Sequence, residues 1–145
     1  MREILFRGKR IGNGEWVRGD LVHVENKSYI SYYYESPFST FINEQIKYDD
    51  ISIVGVAPFI EVDIATIGQY TGLNDKTGKK IFEGDICRMK ADRLKGYGTI
   101  IFMGSAFVLC DKTHKQTRYY PLYPDGQFTV VGNIHDNPEL LEGKS

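Results

Sequence analysis

Cys110 and His114 are the residues whose spacing comes closest to that of a metal site, because they lie four positions apart. A folded chain could bring Cys87, Asp111 and His135 to the same place. Zinc sites usually show paired short Cys or His spacings, and this sequence has one loose pair. We therefore expect no metal and no cofactor.

Catalytic groups of other kinds lack a supporting pattern. No nucleophile elbow and no Cys-His signature accompanies the serines and cysteines. Asp20 and Asp85 each follow a glycine, a position where a short acceptor side chain bonds local backbone amides. Two glycine-rich stretches, 68–72 and 96–98, lack the lysine and the strand-to-helix context of a phosphate loop. We expect that the protein is not an enzyme.

Aromatic and basic side chains are better suited to binding than to catalysis. Tyr32 and Tyr34 would share one face of a strand, and Arg118 precedes two further tyrosines. Such rings and cations stack on nucleic-acid bases or on a protein partner. The alternative is that the tyrosines fill the rim of a small barrel and the basic residues of 79–95 lie on a solvated loop. The candidate binding residues are Tyr32, Tyr34, Arg88, Arg93, Lys95, Arg118, Tyr119 and Tyr120.

The composition indicates how these residues are positioned. The chain has 145 residues, with 15 Gly, 10 Tyr and 8 Phe, which is typical of short strands joined by tight turns. With 18 basic and 19 acidic residues, the formal net charge of -1 provides no field that would attract a nucleic acid or an acidic membrane. Two cysteines in apolar runs are expected to be buried and unpaired.

The densest turn chemistry lies in 68–88, where four glycines separate short apolar pieces. Asp63 is placed to cap one helical turn over 64–66, and we set the domain boundary there. The prediction is a mainly β protein with little helix, built from two small barrel-like halves. Residues 1–62 form an N-terminal β domain, and residues 63–145 form an SH3-like barrel.

The two halves also resemble each other. Val17–Val22 has the same Gly-Asp pattern as Phe82–Cys87, and Ile51–Gly55 has the same Val-Gly ending as Phe128–Gly132. Either a duplication or a chance likeness between β-rich pieces explains this near-repeat.

The N-terminus carries charges too close to its apolar residues for a signal peptide, and no apolar run reaches the length that spans a membrane. We therefore expect a soluble cytoplasmic protein that does not bind membranes.

Several stretches resemble the YopX family: the opening Arg2–Arg10, Gly14–Val17, the run Gly68–Ile86 and the closing Val131–Leu140. The resemblance implies a β-rich protein with an SH3-like C-terminal part, encoded by a phage or prophage and acting in a bacterial host. It implies no catalytic residues.

These observations favour a non-enzymatic module that binds another protein or a second copy of itself. The alternative is a nucleic-acid-binding module that uses the basic residues of 79–95 together with Arg118 and nearby tyrosines. It predicts binding that weakens steeply with salt.

Overall fold

The computed structural model describes residues 3–31, 59–91, 93–124 and 127–142. Clustering of backbone contacts divides the chain into two compact units: an N-terminal unit of residues 5–67, and a C-terminal unit of residues 68–145 with residues 1–4. Tyr32 and Tyr34 lie outside the described residues. The described segments are mainly β, as predicted, and their strands form antiparallel sheets that do not close into a barrel. None of their helices is long and apolar enough to cross a membrane.

The N-terminal unit is a four-stranded antiparallel sheet. Strands β1 (Phe6–Lys9), β2 (Trp16–Val24), β3 (Lys27–Ser31) and β4 (Phe59–Val62) lie side by side in chain order. Alternation along the strands turns Val17, Ile30 and Val62 to the same side, where they form a small buried core.

A single-turn 3-10 helix spans Ile64–Thr66, where the sequence predicts one helical turn, and it lies in the N-terminal unit. The Asp63 carboxylate accepts a hydrogen bond of 3.0 Å from the Ala65 amide, which is the expected cap. The Thr66 hydroxyl donates to the Asp63 carbonyl and accepts from the Lys9 amide, so the turn is attached to β1.

The C-terminal unit contains a β-hairpin and a five-stranded sheet. The hairpin consists of β5 (Gly68–Asn74) and β6 (Lys80–Phe82). The sheet has the order β10-β9-β8-β7-β11. Its strands are β7 (Asp85–Ala91), β8 (Leu94–Met103), β9 (Ala106–Asp111), β10 (Arg118–Pro121) and β11 (Phe128–Asn133). One face packs on a core of Ile81, Cys87, Met89, Ile100, Leu109 and Phe128. Both cysteines are buried and form no disulfide bond, as expected.

The near-repeat does not extend to local structure. Val17–Val22 lies within one continuous strand, whereas Phe82–Cys87 ends β6, turns and begins β7. Position 19 requires glycine because a Cβ atom there would collide with the Ser31 backbone. Position 84 favours glycine because its φ of +93° is one that other residues rarely adopt. The shared Gly-Asp pattern therefore serves two different purposes. Ile51–Gly55 lies outside the described residues.

Candidate functional site

The five-stranded sheet has one face on the core and an opposite face that carries cations. Cys87 and Met89 point into the core, so Arg88 and Lys90 project from the other face and are exposed. In the β7–β8 hairpin, Arg88 lies opposite Tyr97, and Lys90 lies opposite Lys95. Strand alternation thus gathers three cations and a tyrosine on this face.

These side chains line a cleft of about 510 Å³. Its far side is formed by the end of β9 and the residues that follow it. We call it the basic cleft, and its charged and polar lining residues are Arg88, Lys90, Lys95, Tyr97, Asp111, Thr113 and His114.

One carboxylate, that of Asp111, is part of the lining, and it accepts hydrogen bonds from Thr113 and Tyr97. Among the described residues, no carboxylate lies within ion-pair distance of Arg88, Lys90 or Lys95. Like charges directly opposite each other on a sheet face repel and destabilise the pairing. The Lys90–Lys95 pair therefore reduces the stability of the hairpin while it concentrates positive charge in the cleft.

Asp111, the last residue of β9, is fully buried in the lining of the cleft, and both of its carboxylate oxygens accept hydrogen bonds. One oxygen accepts from the Thr113 amide at 2.8 Å and from the Thr113 hydroxyl at 2.5 Å. The other accepts from the Tyr97 amide at 3.1 Å and lies 3.4 Å from Nε2 of His114. Asp111 thus joins the loop after β9 to β8.

The same arrangement occurs at Asp75, which also begins an Asp-Lys-Thr sequence. One Asp75 oxygen accepts from the Thr77 amide at 2.8 Å and from its hydroxyl at 2.6 Å. The other accepts from the Val130 amide at 3.0 Å, which attaches the turn after β5 to β11. The two Asp-Lys-Thr turns therefore each hold a distant strand with a buried carboxylate.

Burial alone would raise the pKa of Asp75 and Asp111. In Asp75, hydrogen bonds from the Thr77 side chain and from the backbone of Val130, Lys79 and Thr77 outweigh burial and lower the pKa from 3.8. The pKa of Asp111 is also lowered from 3.8, because other interactions outweigh its burial. These are hydrogen bonds from the Thr113 side chain and from the Thr113 and Tyr97 backbone, together with the charge of His114.

We expect acid to destabilise the protein through these two carboxylates. Because their folded-state pKa values lie below the unfolded value of 3.8, their contribution is fully present above that pH and is lost as the pH falls through the folded pKa values. Urea unfolding between pH 6 and pH 2.5 measures the loss. The double variant Asp75→Asn/Asp111→Asn should be less stable at pH 6 and should show a flatter acid dependence. An acid slope equal to that of the unsubstituted protein would contradict this assignment.

The structure brings together only some of the predicted binding residues. Arg88 and Lys95 line the basic cleft, whereas Arg93 is exposed in the turn between β7 and β8 and is not part of its lining. Arg118 begins the edge strand β10 opposite Asp111, and it is likewise exposed and outside the lining.

The two tyrosines of β10 do not form a joint surface. Tyr120 packs against the core, and a Cβ atom on Gly96 would lie 2.9 Å from its ring. Tyr119 projects from the opposite face and is 49% exposed. Successive residues of a strand point to opposite faces, so the two rings cannot stack on one ligand together.

Three residues that line the cleft, Tyr97, Thr113 and His114, were not among the binding residues predicted from the sequence. Lys90 also lines it, and the sequence indicated it only as one of the basic residues of 79–95 in the nucleic-acid alternative. Residues two positions apart in a strand lie on the same face, so strand alternation alone could have placed Lys90 beside Arg88 and Tyr97 beside Lys95.

Among the described residues, no group of three or more His, Cys, Asp or Glu side chains is placed to hold a metal.

Comparisons with known proteins connect the chain to a family. The sequence profile of the YopX protein family matches residues 5–142. The crystal structure of protein EF1440 from Enterococcus faecalis is similar, with 23% sequence identity, a TM-score of 0.47, and coverage of 98% of this chain and 100% of that one. A search of curated proteins found no match. Because the family profile spans nearly the whole sequence, this chain belongs to the YopX protein family.

Proposed function

We propose that the protein is a non-enzymatic binding module that holds an acidic segment of a partner protein in the basic cleft. The observation that carries this proposal is the direct opposition of Lys90 and Lys95, with Arg88 on the same face. Folding alone gains nothing from this repulsion. A ligand with several carboxylates would relieve the repulsion between the two lysines. Functional sites commonly keep side-chain pairs that are unfavourable for folding.

An acidic protein segment fits the cleft better than a nucleic acid does. Proteins that bind single strands combine a basic groove with aromatic rings on which successive bases stack. Here Tyr119 and Tyr120 lie on opposite faces, and the Tyr97 hydroxyl donates to the Leu140 carbonyl at 3.0 Å. The net charge of -1 also supplies no long-range attraction for a phosphate backbone.

The proposed setting is the cytoplasm of a bacterial host that carries a phage or prophage, a setting implied by the resemblance to the family. We also propose that the C-terminal unit is SH3-like. Its sheet has four strands in chain order and a fifth, β11, that returns beside the first, β7, and this order supports the proposal.

The variant Lys90→Glu separates function from folding. Replacing a like-charge pair with an opposite pair should raise the free energy of unfolding by about 0.5 kcal/mol. It should also weaken binding of fluorescein-labelled hexaglutamate by about tenfold, since it places a negative charge in the cleft. Urea unfolding and fluorescence anisotropy measure the two effects.

Lys27→Glu is the matched control, because it makes the same change in charge at an exposed residue of the N-terminal unit, outside the cleft. It should leave hexaglutamate affinity within about twofold. Undiminished peptide binding by Lys90→Glu would overturn the proposal. Tighter binding of a six-nucleotide single-stranded DNA than of hexaglutamate at equal salt would favour the nucleic-acid alternative instead.

A further inference from the structure

A second pocket adjoins the basic cleft on the same face of the C-terminal sheet. It has a volume of about 340 Å³, and it shares Tyr97 and Thr113 with the basic cleft. The rest of its lining is mostly apolar, with Ile101, Cys110, Ile134 and Leu141, and it contains one cation, Lys112. We call it the apolar pocket. The two cavities are therefore neighbours of contrasting chemistry.

The wall of the apolar pocket is held by hydrogen bonds. The Asn133 side chain accepts from the amides of His135 and Asp136 at 3.0 and 2.9 Å, and the Asn137 side chain accepts from the Asn133 amide at 3.2 Å. The Tyr97 hydroxyl then bonds the carbonyl of Leu140 in the 3-10 helix Pro138–Leu141. These bonds fix the wall before any ligand arrives, which lowers the entropy lost on binding.

Strand β8 runs along the bottom of both cavities. Alternate residues Lys95, Tyr97, Thr99 and Ile101 occupy the ligand-facing side, so the surface changes from basic to apolar along one strand. The ends of this line are six positions apart, a distance of about 20 Å at 3.3 Å per residue. An extended segment of about six residues would cover the same distance.

We propose that the basic cleft and the apolar pocket form one groove, and that its ligand is an extended protein segment of about six residues. The segment carries acidic side chains at the Lys95 end and one large apolar side chain at the Ile101 end. This inference rests on the proposed function and adds the order of side chains that the partner must present. Charge complementarity sets the position of the acidic end, and burial of one apolar side chain provides selectivity.

Labelled hexapeptides test the groove. The probes are Glu-Glu-Glu-Ser-Thr-Leu and its reverse sequence, each compared with a version in which leucine is replaced by serine. In one of the two directions, leucine should tighten binding by about tenfold, because a buried leucine gains the transfer free energy of its side chain. Fluorescence anisotropy at fixed salt measures the difference.

Two isoleucine variants locate the effect. Ile134→Ser removes part of the pocket lining and should abolish the gain from leucine, so that the leucine-containing and serine-containing peptides bind this variant equally. Ile11→Ser, at an exposed turn residue of the N-terminal unit, should leave the gain intact.

The outcomes separate the two proposals. Equal binding of the leucine and serine peptides in both directions would overturn the single groove while leaving the basic cleft as a binding site. Failure of every acidic peptide to bind at low salt would overturn the proposed function itself. A gain that survives Ile134→Ser would place the leucine elsewhere and would also overturn the single groove.

Discussion

The double variant Arg88→Glu/Lys95→Glu should lose at least about 30-fold of its affinity for an acidic peptide. Each reversal removes an attraction of about 1 kcal/mol and adds a repulsion at a partly desolvated site, so the two together exceed 2 kcal/mol. The fold should survive, because both side chains are exposed on the face opposite the core. Anisotropy titrations with labelled hexaglutamate, beside a circular dichroism spectrum, measure both outcomes.

A control with the same change in net charge is Lys27→Glu/Lys76→Glu, since both residues are exposed and neither lines the cleft. It should retain affinity within about threefold. Similar losses in the two double variants would show that the peptide responds to overall charge, and the cleft would lose its special role.

Asp111→Ala should lower the free energy of unfolding by about 3 kcal/mol. The change removes the acceptor of the Thr113 amide, the Thr113 hydroxyl and the Tyr97 amide. Buried donors without an acceptor each cost about 1–3 kcal/mol, and the rotating hydroxyl is the easiest to satisfy elsewhere. Urea unfolding monitored by circular dichroism measures the loss.

Asp63→Ala serves as the matched control, because Asp63 is an exposed cap of a single turn. Its cost should be about 1 kcal/mol. A loss below about 1 kcal/mol for Asp111→Ala would mean that its hydrogen bonds contribute little to folding. Asp111 also holds the loop that carries Thr113 and His114, two lining residues of the basic cleft, so we expect the variant to bind hexaglutamate more weakly.

Local chemistry explains why much of the architecture was predictable. The strands around Val17 and Ile86, the turn at Gly78 and the cap at Asp63 follow from alternation, positive φ and short acceptor side chains. Closure of the sheet depends on long-range pairing, and no local pattern specifies it. The sheets are accordingly open where a barrel was predicted.

The site was less predictable because it depends on register. That Lys90 lies opposite Lys95 follows only once the β7–β8 turn is known, since a shift of one residue would separate them. Tyr119 and Tyr120 were grouped by sequence proximity, although the alternation of a strand separates their rings. The repeated Asp-Lys-Thr sequence was visible, but nothing local shows which distant amide each carboxylate reaches.

The stretches that resemble the family form strands and turns that shape the two cavities. Gly68 to Ile86 forms the β5–β6 hairpin and begins β7, and Arg88 of the basic cleft follows it by two residues in the same strand. The closing stretch Val131 to Leu140 supplies the hydrogen-bonded wall of the apolar pocket. Fold-specifying motifs therefore shape the site, while most of its charge comes from residues between them.

Backbone amide chemical shifts during titration with unlabelled hexaglutamate test the basic cleft most directly. We expect saturable shifts at Arg88, Lys90, Lys95, Tyr97 and His114, with the N-terminal unit unchanged and with affinity falling as salt rises. Shifts confined to other surfaces, or no saturable shifts at low salt, would show that the basic cleft does not bind acidic segments.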